Sequence, residues 1–286
     1  MNPQRPQLVH DLNQIRDIVR KAQSAGKKVG LVPTMGALHQ GHLSLVEQSA
    51  SQCDLTVVTI FVNPTQFAQD EDLAKYPRTL ESDLELLSQF SPVIVLAPEA
   101  ADVYPAGSST AVQPPDVGRL WEGEKRPDHF AGVATIVLKL FNMVPAEIAF
   151  FGQKDYQQAC VIQQMVKDLN VPMEIQVCPI VREPDGLAMS SRNRYLSQSE
   201  RKTATVISQT LEIAEQMMRE GETETQVILD QCMQELTAAH VDSIDYVTIA
   251  DPITLELVQT IAGPVVILIA VYVGKTRLID NRVIQL

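Results

Sequence analysis

Residues 28–62 read KVGLVPTMGALHQGHLSLVEQSASQCDLTVVTIFV. The first six residues form a short run that is apolar after Lys28, and residues 55–62 form a continuous apolar run rich in β-branched side chains. Between these runs, residues 41–52 place apolar side chains at helical spacing, and Pro33 and Gly36 lie in the connecting loop. The stretch therefore predicts a strand, a loop, a helix and a second strand covered on both faces, which is a βαβ unit.

The same alternation continues along the chain. Further helices are predicted at residues 79–90, 133–143 and 155–169, and further strands at residues 93–97, 147–151 and 173–177. Strands that alternate with helices indicate an α/β fold with a doubly wound, mostly parallel, Rossmann-like sheet. Ligands of such sheets bind at the carboxyl ends of the strands, so the residues that follow each strand are the first candidates for a site.

The pattern changes near residue 182. A capping-box sequence from Ser197 to Glu200 opens a predicted helix, and Gly274 suits a tight turn between two strands. We predict the helices and strands of this part, in order, at residues 197–220, 224–239, 243–249, 264–273 and 275–279. Two domains follow: a Rossmann-like domain at residues 1–181 and a smaller α+β domain at residues 182–286.

The composition restricts the class of partner. A formal net charge of -12 repels nucleic acid and anionic lipid unless a local cluster of cations meets them. The longest apolar run, residues 265–273, is half the length of a membrane span, and no N-terminal signal pattern is present. Four scattered cysteines without a Cys-x-x-Cys pair argue against a disulfide framework. We therefore expect a cytoplasmic protein that acts on small molecules, not on nucleic acid or membranes.

Two histidines stand where the first predicted strand gives way to a helix. His39 and His42 are three residues apart and share one face of a helical turn, and Gly41 leaves room for a ligand near the backbone. Free backbone N–H groups and the dipole at a helix start attract anionic oxygens, which favours a nucleotide triphosphate. Two alternatives remain open here. One is a pair of surface or cap histidines, and the other is a zinc site with further ligands elsewhere.

Two other segments place cations and hydroxyls near the ends of predicted strands. In residues 152–155, Lys154 is suited to neutralise a phosphate, although a solvated surface charge is the alternative. In residues 189–194, two serines followed by Arg192 suit a triphosphate, although such a loop is common when taken alone. Their occurrence in one chain with the two histidines favours a phosphate site.

Amide side chains follow the strands as well. Asn63 and Gln66 come after the strand at residues 55–62, and Gln157 and Gln158 come after the strand that ends at residue 151. Their donors and acceptors suit a hydroxylated substrate, and exposed glutamines are the alternative.

A cation for a substrate carboxylate is available just before a helix. Arg126 and His129 precede the helix predicted from Val133, and an ordinary surface role is equally open for both. The chain contains no Gly-x-x-x-x-Gly-Lys-[Ser/Thr] phosphate loop, no Gly-x-Gly-x-x-Gly fingerprint and no Gly-x-Ser-x-Gly elbow.

Four blocks occur in a fixed order. They are PTMGALHQGH at residues 33–42, FVNPTQF at 61–67, GQKDYQQ at 152–158 and MSSRN at 189–193. Together they closely resemble the pantothenate synthetase family, and the resemblance spans nearly the whole chain. The His-x-Gly-His element alone marks only the wider nucleotidylyltransferase superfamily. Gln153 stands where many members of the family have glutamate.

The resemblance implies an ATP-dependent ligase that works in two steps. ATP and (R)-pantoate give pantoyl adenylate and pyrophosphate, and β-alanine then attacks to give pantothenate and AMP. The implied catalytic residues are His39, His42, Lys154 and Arg192. The implied ATP-binding residues are Met35, Gly36, Ala37, Leu38, His39, Gln40, Gly41, His42, Gly152, Gln153, Lys154, Asp155, Val181, Met189, Ser190, Ser191 and Arg192. Pantoate is assigned to Gln66 and Gln158, and β-alanine to Asn63 and Gln66.

The resemblance also implies Mg²⁺ bound with the ATP phosphates, no metal held by protein ligands alone, a homodimer, and a smaller domain that acts as a lid. We expect the histidines, the lysine, the arginine and the Mg²⁺ to neutralise the triphosphate. Two other functions stay open. A nucleotidylyltransferase that keeps the nucleotide on its product would release no AMP, and a non-catalytic nucleotide-binding module would bind ATP without pyrophosphate exchange.

Overall fold

The computed structural model describes residues 5–68 and 72–285, and the chain divides into two compact units. Within the described residues, the first unit runs to Gly152 and resumes at Gln158–Pro179. The second unit comprises Gln153–Gln157 and the residues from Ile180 onward. The domain boundary that we place after residue 181 stays a prediction.

The first unit is built from one sheet and its connecting helices. Its strands are β1 (Gln7–Val9), β2 (Val29–Thr34), β3 (Leu55–Ile60), β4 (Val93–Leu96), β5 (Ile148–Gly152) and β6 (Glu174–Cys178). Its helices are α1 (Leu12–Ser24), α2 (Gln40–Gln52), α3 (Leu80–Leu87), α4 (Ala100–Val103), α5 (Glu122–Lys125), α6 (His129–Met143) and α7 (Tyr156–Asp168), the last of which begins in the second unit. Asp11 caps α1 as a typical N-cap residue, with its carboxylate accepting from two N–H groups of the first turn.

The sheet confirms the predicted doubly wound α/β fold. Its strand order is β1-β4-β3-β2-β5-β6, and every neighbouring pair is parallel. Successive residues of β2, Leu31 and Val32, are both fully buried and lie in different apolar clusters. Since successive side chains of a strand point to opposite faces, both faces of the sheet are covered, as the uninterrupted apolar strands predict.

The second unit is an α+β arrangement, as predicted. Its helices are α8 (Gln198–Ala204), α9 (Val206–Arg219) and α10 (Thr225–Ala238), and its strands are β7 (Ser243–Ala250), β8 (Val265–Val273) and β9 (Thr276–Ile284). The strands form an antiparallel sheet in the order β7-β8-β9. Gly274, with a φ of 59°, forms the tight turn that was predicted between β8 and β9.

Several element boundaries differ from the prediction. The sequence pattern misses β1, because this three-residue edge strand is stabilised by its pairing with β4 rather than by its own pattern. The helix predicted from Val133 begins at His129, since burial of Phe130 extends the helix backwards. The strand predicted to end at Ile279 continues to Ile284 through three polar residues that interrupt the apolar pattern.

The helix predicted from Ser197 to about Glu220 is divided in two. Ser197 and Glu200 form the predicted capping box at the start of α8. A break at Thr205 then separates α8 from α9, and the Thr205 hydroxyl donates to the Lys202 carbonyl at 2.8 Å. Threonine competes in this way with the helical hydrogen bonds of the backbone.

Among the residues that the structure describes, no helix combines the length and the apolar character needed to cross a membrane.

Candidate active site

The loop between β2 and α2 passes through two successive residues in the left-handed conformation. Gly36 has a φ of 82° and Ala37 a φ of 51°. A residue other than glycine is strained there by about 1 kcal/mol. The Thr34 hydroxyl donates to the Thr59 carbonyl at 2.6 Å and accepts from the Gly36 N–H at 3.2 Å. These bonds fix the start of the loop at the carboxyl end of β2.

A buried carboxylate holds the rest of this loop. Asp83 of α3 is 1% exposed, and its two oxygens accept from the backbone N–H groups of Ala37 at 3.0 Å and Leu38 at 2.9 Å. The Thr79 hydroxyl donates to the same carboxylate at 3.2 Å. Since burial of a carboxylate is costly without such donors, its placement here indicates that the loop geometry matters. Nothing in the sequence near Asp83 identified this role.

Asp83→Asn is expected to lower the free energy of unfolding by about 2 kcal/mol. The substitution turns one acceptor into an NH₂ group that faces a backbone N–H, so a buried donor loses its partner. Urea unfolding measures the change, and Ser82→Ala at the exposed neighbouring position is the control. A loss of less than about 0.5 kcal/mol, the size of an ordinary surface substitution, would show that the carboxylate does not hold the loop.

His39 and His42 form a reciprocal cap at the start of α2. His39 is the N-cap residue, and its Nδ1 accepts from the Gly41 N–H at 3.1 Å. In return, Nδ1 of His42 accepts from the His39 N–H at 3.3 Å. The ring centroids are 4.0 Å apart. A ring nitrogen that accepts a hydrogen bond carries no proton, so in both rings the proton lies on Nε2.

The cap bonds therefore involve the two histidines as neutral rings. Protonation at Nδ1 would break either cap bond, and two imidazolium rings at this separation would repel each other. The expectation that the histidines help to neutralise the triphosphate stays a prediction. The cap interpretation and the ligand interpretation do not exclude each other, because the cap bonds involve only Nδ1 of each ring.

The amides predicted at the end of β3 lie next to the same loop. The short 3₁₀ turn Pro64–Gln66 follows β3, and the Asn63 amide donates to Gln66 Oε1 at 3.0 Å. Gln66 Nε2 lies 3.3 Å from the Met35 sulfur as donor. The structure therefore brings Asn63 and Gln66 together with Met35, as expected for neighbouring parallel strands whose carboxyl ends meet at one edge.

Tyr104 orients this group from the side. Its hydroxyl donates to Asn63 Oδ1 at 2.8 Å and lies 3.2 Å from the Thr65 hydroxyl. Burial raises the pKa of Tyr104 above its ordinary value, which keeps the hydroxyl protonated as a donor. Lys139 places its ammonium group 5.3 Å from the centre of the Tyr104 ring. No pattern in the sequence selects Tyr104, because only the fold places it beside Asn63.

Arg126 and His129 approach the backbone of Gln66. Arg126 donates through Nη2 to the Gln66 carbonyl at 3.4 Å, and His129 Nδ1 lies 2.9 Å from the same oxygen. The Asn63 amide also donates to the Gly132 carbonyl at 3.3 Å. These contacts tie the first turn of α6 to the 3₁₀ turn Pro64–Gln66. The suggested role of Arg126 as a partner for a substrate carboxylate stays a prediction.

The second unit contains the turn that follows β5. Lys154 lies in a 3₁₀ turn, Gln153–Asp155, with its Nζ 3.6 Å from Asp155 Oδ1. Gln153 donates through Nε2 to Asn281 Oδ1 at 3.2 Å. Gln157 is buried, whereas Gln158, the first residue back in the first unit, is half-buried on α7.

The second unit also contains the segment from Val181 to Asn193. The Met189 N–H donates to the Val181 carbonyl at 3.0 Å, and the Ser190 hydroxyl accepts from the Arg192 N–H at 3.2 Å at the start of a 3₁₀ turn. Asn193 is buried and donates through its amide to the Ala188 carbonyl at 3.0 Å. The two predicted serines and Arg192 therefore lie on one short, internally bonded segment.

A cluster of ion pairs anchors this segment to α8. Arg201 contacts Glu183 at 3.0 Å and Asp185 at 2.7 Å, and the Asn193 amide donates to Glu183 at 2.9 Å. Hydrogen bonds from the Arg201 guanidinium hold the pKa of both carboxyl groups below their ordinary range. The cluster thus links the segment with Ser190 and Arg192 to α8.

Arg201→Gln is expected to weaken the acid dependence of stability. A carboxyl group whose pKa is lowered by folding stabilises the fold above its unfolded pKa of about 4, and this contribution is lost as the pH falls through the lower, folded pKa. The wild type should therefore lose stability below about pH 4 more steeply than the variant. Urea unfolding at a series of pH values tests this, with Arg194→Gln at an exposed position as control. Identical pH profiles would contradict the assignment.

Within the described residues, no group of three or more His, Cys, Asp or Glu side chains is arranged to hold a metal ion.

A family model described as Pantoate-beta-alanine ligase matches residues 7–283. The chain belongs to the pantoate–β-alanine ligase family. The known reaction of this family is the ATP-dependent condensation of pantoate with β-alanine. Membership confirms the family resemblance carried by the four sequence blocks, and with it an enzymatic, ligase function.

Three members of the pantoate–β-alanine ligase family show how similar this chain is to known proteins. The pantothenate synthetase of Moorella thermoacetica is 47% identical over 279 residues, which cover 98% of this chain and 99% of the relative. A crystal structure of the Thermus thermophilus enzyme has 40% identity and a TM-score of 0.92, and covers 96% of this chain and 98% of that one. The Francisella tularensis pantoate–β-alanine ligase, solved with beta-gamma ATP and β-alanine, has 33% identity, a TM-score of 0.79 and 97% coverage of both chains.

Proposed function

We propose that this enzyme condenses (R)-pantoate with β-alanine through a pantoyl-adenylate intermediate and releases pyrophosphate and AMP. The observation that carries the proposal is the reciprocal cap at the start of α2, which places His39 and His42 together at the N-terminus of this helix, directly after the loop from β2. A helix start with its backbone N–H groups and two histidines suits the anionic oxygens of a triphosphate. Family membership and the ligands of the Francisella relative support the same reaction.

In the first step, a pantoate carboxylate oxygen attacks the α-phosphorus of ATP. The bond from this phosphorus to the bridging oxygen breaks, and pyrophosphate leaves with the electron pair. The carboxylate is already ionised near neutral pH, so the step needs no general base. The barrier is electrostatic, because one anion approaches another. His39 and His42 lower it by donating to phosphate oxygens, and Lys154 and Arg192 supply the positive charge.

In the second step, the neutral amine of β-alanine attacks the acyl carbon of the adenylate. The bond between that carbon and the phosphate oxygen breaks, AMP leaves, and the amine releases a proton. Asn63 and Gln66 are the amides assigned to pantoate and β-alanine. Asn63 is 1% exposed and donates to Gln66 Oε1, so it contributes by orienting Gln66, and Tyr104 fixes the orientation of Asn63. An amide with a fixed orientation offers a set donor and acceptor pattern, which favours one substrate pose.

The complete proposed site keeps the residues assigned from the sequence. ATP is bound by Met35, Gly36, Ala37, Leu38, His39, Gln40, Gly41, His42, Gly152, Gln153, Lys154, Asp155, Val181, Met189, Ser190, Ser191 and Arg192. Pantoate is bound by Gln66 and Gln158, and β-alanine by Asn63 and Gln66. Among these, Gly36 and Ala37 act through the backbone shape of the loop, and Gln153 acts by anchoring its turn.

The substrate form of the nucleotide is MgATP, in which the metal is held mainly by phosphate oxygens and water. We also propose that the enzyme is a homodimer, that it works in the cytoplasm, and that residues 182–286 act as a lid domain on the nucleotide- and pantoate-binding domain of residues 1–181.

The proposed function is tested by isotope exchange between pyrophosphate and ATP. With pantoate present and β-alanine absent, we expect rapid exchange, and later addition of β-alanine should release one AMP for each pantothenate formed. Exchange without subsequent AMP release would indicate a nucleotidylyltransferase that keeps the nucleotide on its product. ATP binding without any exchange would indicate a non-catalytic module, and either result would overturn the proposal.

A further inference from the structure

Two adjacent polar residues are buried in the last strand of the second unit. Asp280 and Asn281 of β9 are 3% and 2% exposed. Successive residues of a strand point to opposite faces of the sheet, so their side chains serve different neighbours. Polar side chains at such positions destabilise a fold unless they are hydrogen-bonded. Their side-chain bonds lead to the two segments that carry the proposed phosphate ligands of this unit.

Asn281 holds the turn that contains Lys154. Its Nδ2 donates to the carbonyl of Gln153 at 3.0 Å and to the carbonyl of Lys154 at 2.9 Å, and its Oδ1 accepts from Gln153 Nε2 at 3.2 Å. The NH₂ group and the oxygen of the Asn281 amide therefore all bond to two consecutive residues, Gln153 and Lys154. Because two of the bonds go to backbone carbonyls, they fix the main chain from which the Lys154 side chain projects.

Asp280 holds the segment that precedes the two serines. Its carboxylate receives two hydrogen bonds from Arg182, at 2.6 Å from Nη1 and 3.1 Å from Nη2. Arg182 Nη1 also donates to the Gly186 carbonyl at 3.1 Å. Two parallel bonds between a guanidinium and a carboxylate set both distance and orientation. Arg182 is also bridged through its backbone to Ala188, directly before Met189.

The 3₁₀ turn that carries the arginine of this segment meets the same strand. Ser191–Tyr195 lies against β9, as does Gln153–Asp155. One strand thus forms a common support for both turns. The Asp245–Arg277 pair of the same sheet, at 2.6 Å and more exposed than Asp280, joins β7 to β9 within the sheet, so it offers a structural control.

We propose that Asp280 and Asn281 are positioning residues that fix the Lys154 turn and the Ser190–Arg192 segment for ATP binding and adenylation. This inference rests on the proposed function, because it assumes that these segments contact the triphosphate. A lysine can act as a point charge on a phosphate only if its backbone is held, and misplacement by about 1 Å can reduce a rate a hundredfold.

The test uses Asn281→Asp in the full-length enzyme, assayed by pyrophosphate exchange with pantoate. The carboxylate has the shape of the amide but loses both N–H donors and faces two carbonyl oxygens. We expect kcat/KM for ATP to fall about tenfold, which is less than the effect of moving Lys154 by a full 1 Å. The KM for pantoate should stay within about twofold of the wild-type value. Asp245→Asn, which weakens an ion pair within the sheet, should leave kcat/KM for ATP unchanged.

A double-mutant cycle separates positioning from general destabilisation. If Asn281 acts through Lys154, the double variant Lys154→Ala/Asn281→Asp should be no less active than Lys154→Ala alone, whereas a structural defect would add to it. An additive result, or a folded Asn281→Asp enzyme with the wild-type kcat/KM for ATP, would overturn the inference. If Asn281→Asp does not fold, Asp280→Asn decides, with Arg192→Ala replacing Lys154→Ala in the cycle because Asp280 holds the segment that carries Arg192. A wild type without exchange would instead refute the proposed function.

Discussion

His42→Ala is expected to slow formation of pantoyl adenylate by a factor of about one hundred to one thousand. The variant removes one pre-aimed N–H donor from the phosphate site, and such donors contribute about 3 to 4 kcal/mol to the transition state. It also removes the Nδ1 acceptor for the His39 N–H and so half of the reciprocal cap. Single-turnover formation of pyrophosphate measures the step directly. If the variant keeps near-normal turnover, His42 is not part of the phosphate site.

His42→Gln separates the neutral donor from a cation. Glutamine is a usual partner at this position of a capping box, so the helix start should be retained and stability should stay within about 1 kcal/mol of the wild type. If His42 acts as a neutral N–H donor, the glutamine amide can replace part of its contribution. The glutamine variant should then form the adenylate at least about tenfold faster than His42→Ala. A glutamine variant as slow as His42→Ala would favour an imidazolium. His10→Ala, at an exposed histidine, should be fully active.

Gly132→Ala is expected to lower kcat/KM for pantoate by about a hundredfold. A Cβ at this position would lie 2.2 Å from the Thr65 carbonyl oxygen and 2.7 Å from the Gln66 nitrogen, both backbone atoms that have no side-chain freedom to move away. Either α6 or the turn Pro64–Gln66 must shift by about 1 Å, and Gln66 moves with it away from its substrate pose. Steady-state kinetics with varied pantoate test the prediction.

The effect of Gly132→Ala on stability has an unusual sign. In an ordinary helix position alanine is more favourable than glycine by about 1 kcal/mol, whereas overpacking here should destabilise the protein by about 1 to 3 kcal/mol. Gly263→Ala is the control, because a Cβ at Gly263 meets no atom within 4 Å. A Gly132→Ala enzyme that is as stable and as active as the wild type would contradict the close approach of α6 to the turn Pro64–Gln66.

His42 and Gly132 differ in how much of their role can be predicted from the sequence. His39 and His42 stand out in the sequence as candidate ligands, but the sequence left open whether they cap the helix or bind a phosphate. The structure shows that capping occupies Nδ1 in both rings, so the same bonds that stabilise α2 also select the tautomer with Nε2–H. Gly132, by contrast, looks like a weak point of a helix, and its close packing against Thr65 explains it.

Long, periodic elements were predicted well from the sequence. The parallel sheet and the capping box at Ser197 agree with the pattern, because apolar periodicity and caps act over a few residues. Short or polar elements were not. The strand β1 and the polar half of β9 form because a neighbouring strand supplies their hydrogen bonds, and local pattern contains no information about that neighbour.

By itself, the sequence identified the family and the α/β fold and proposed the site residues, since four blocks in a fixed order resemble one family. The tertiary structure alone decided how those residues are held. Asp83, Tyr104, Asp280 and Asn281 lie far along the chain from the groups that they fix. Their role depends on hydrogen-bond distances of about 3 Å, which only the packing of distant segments can set.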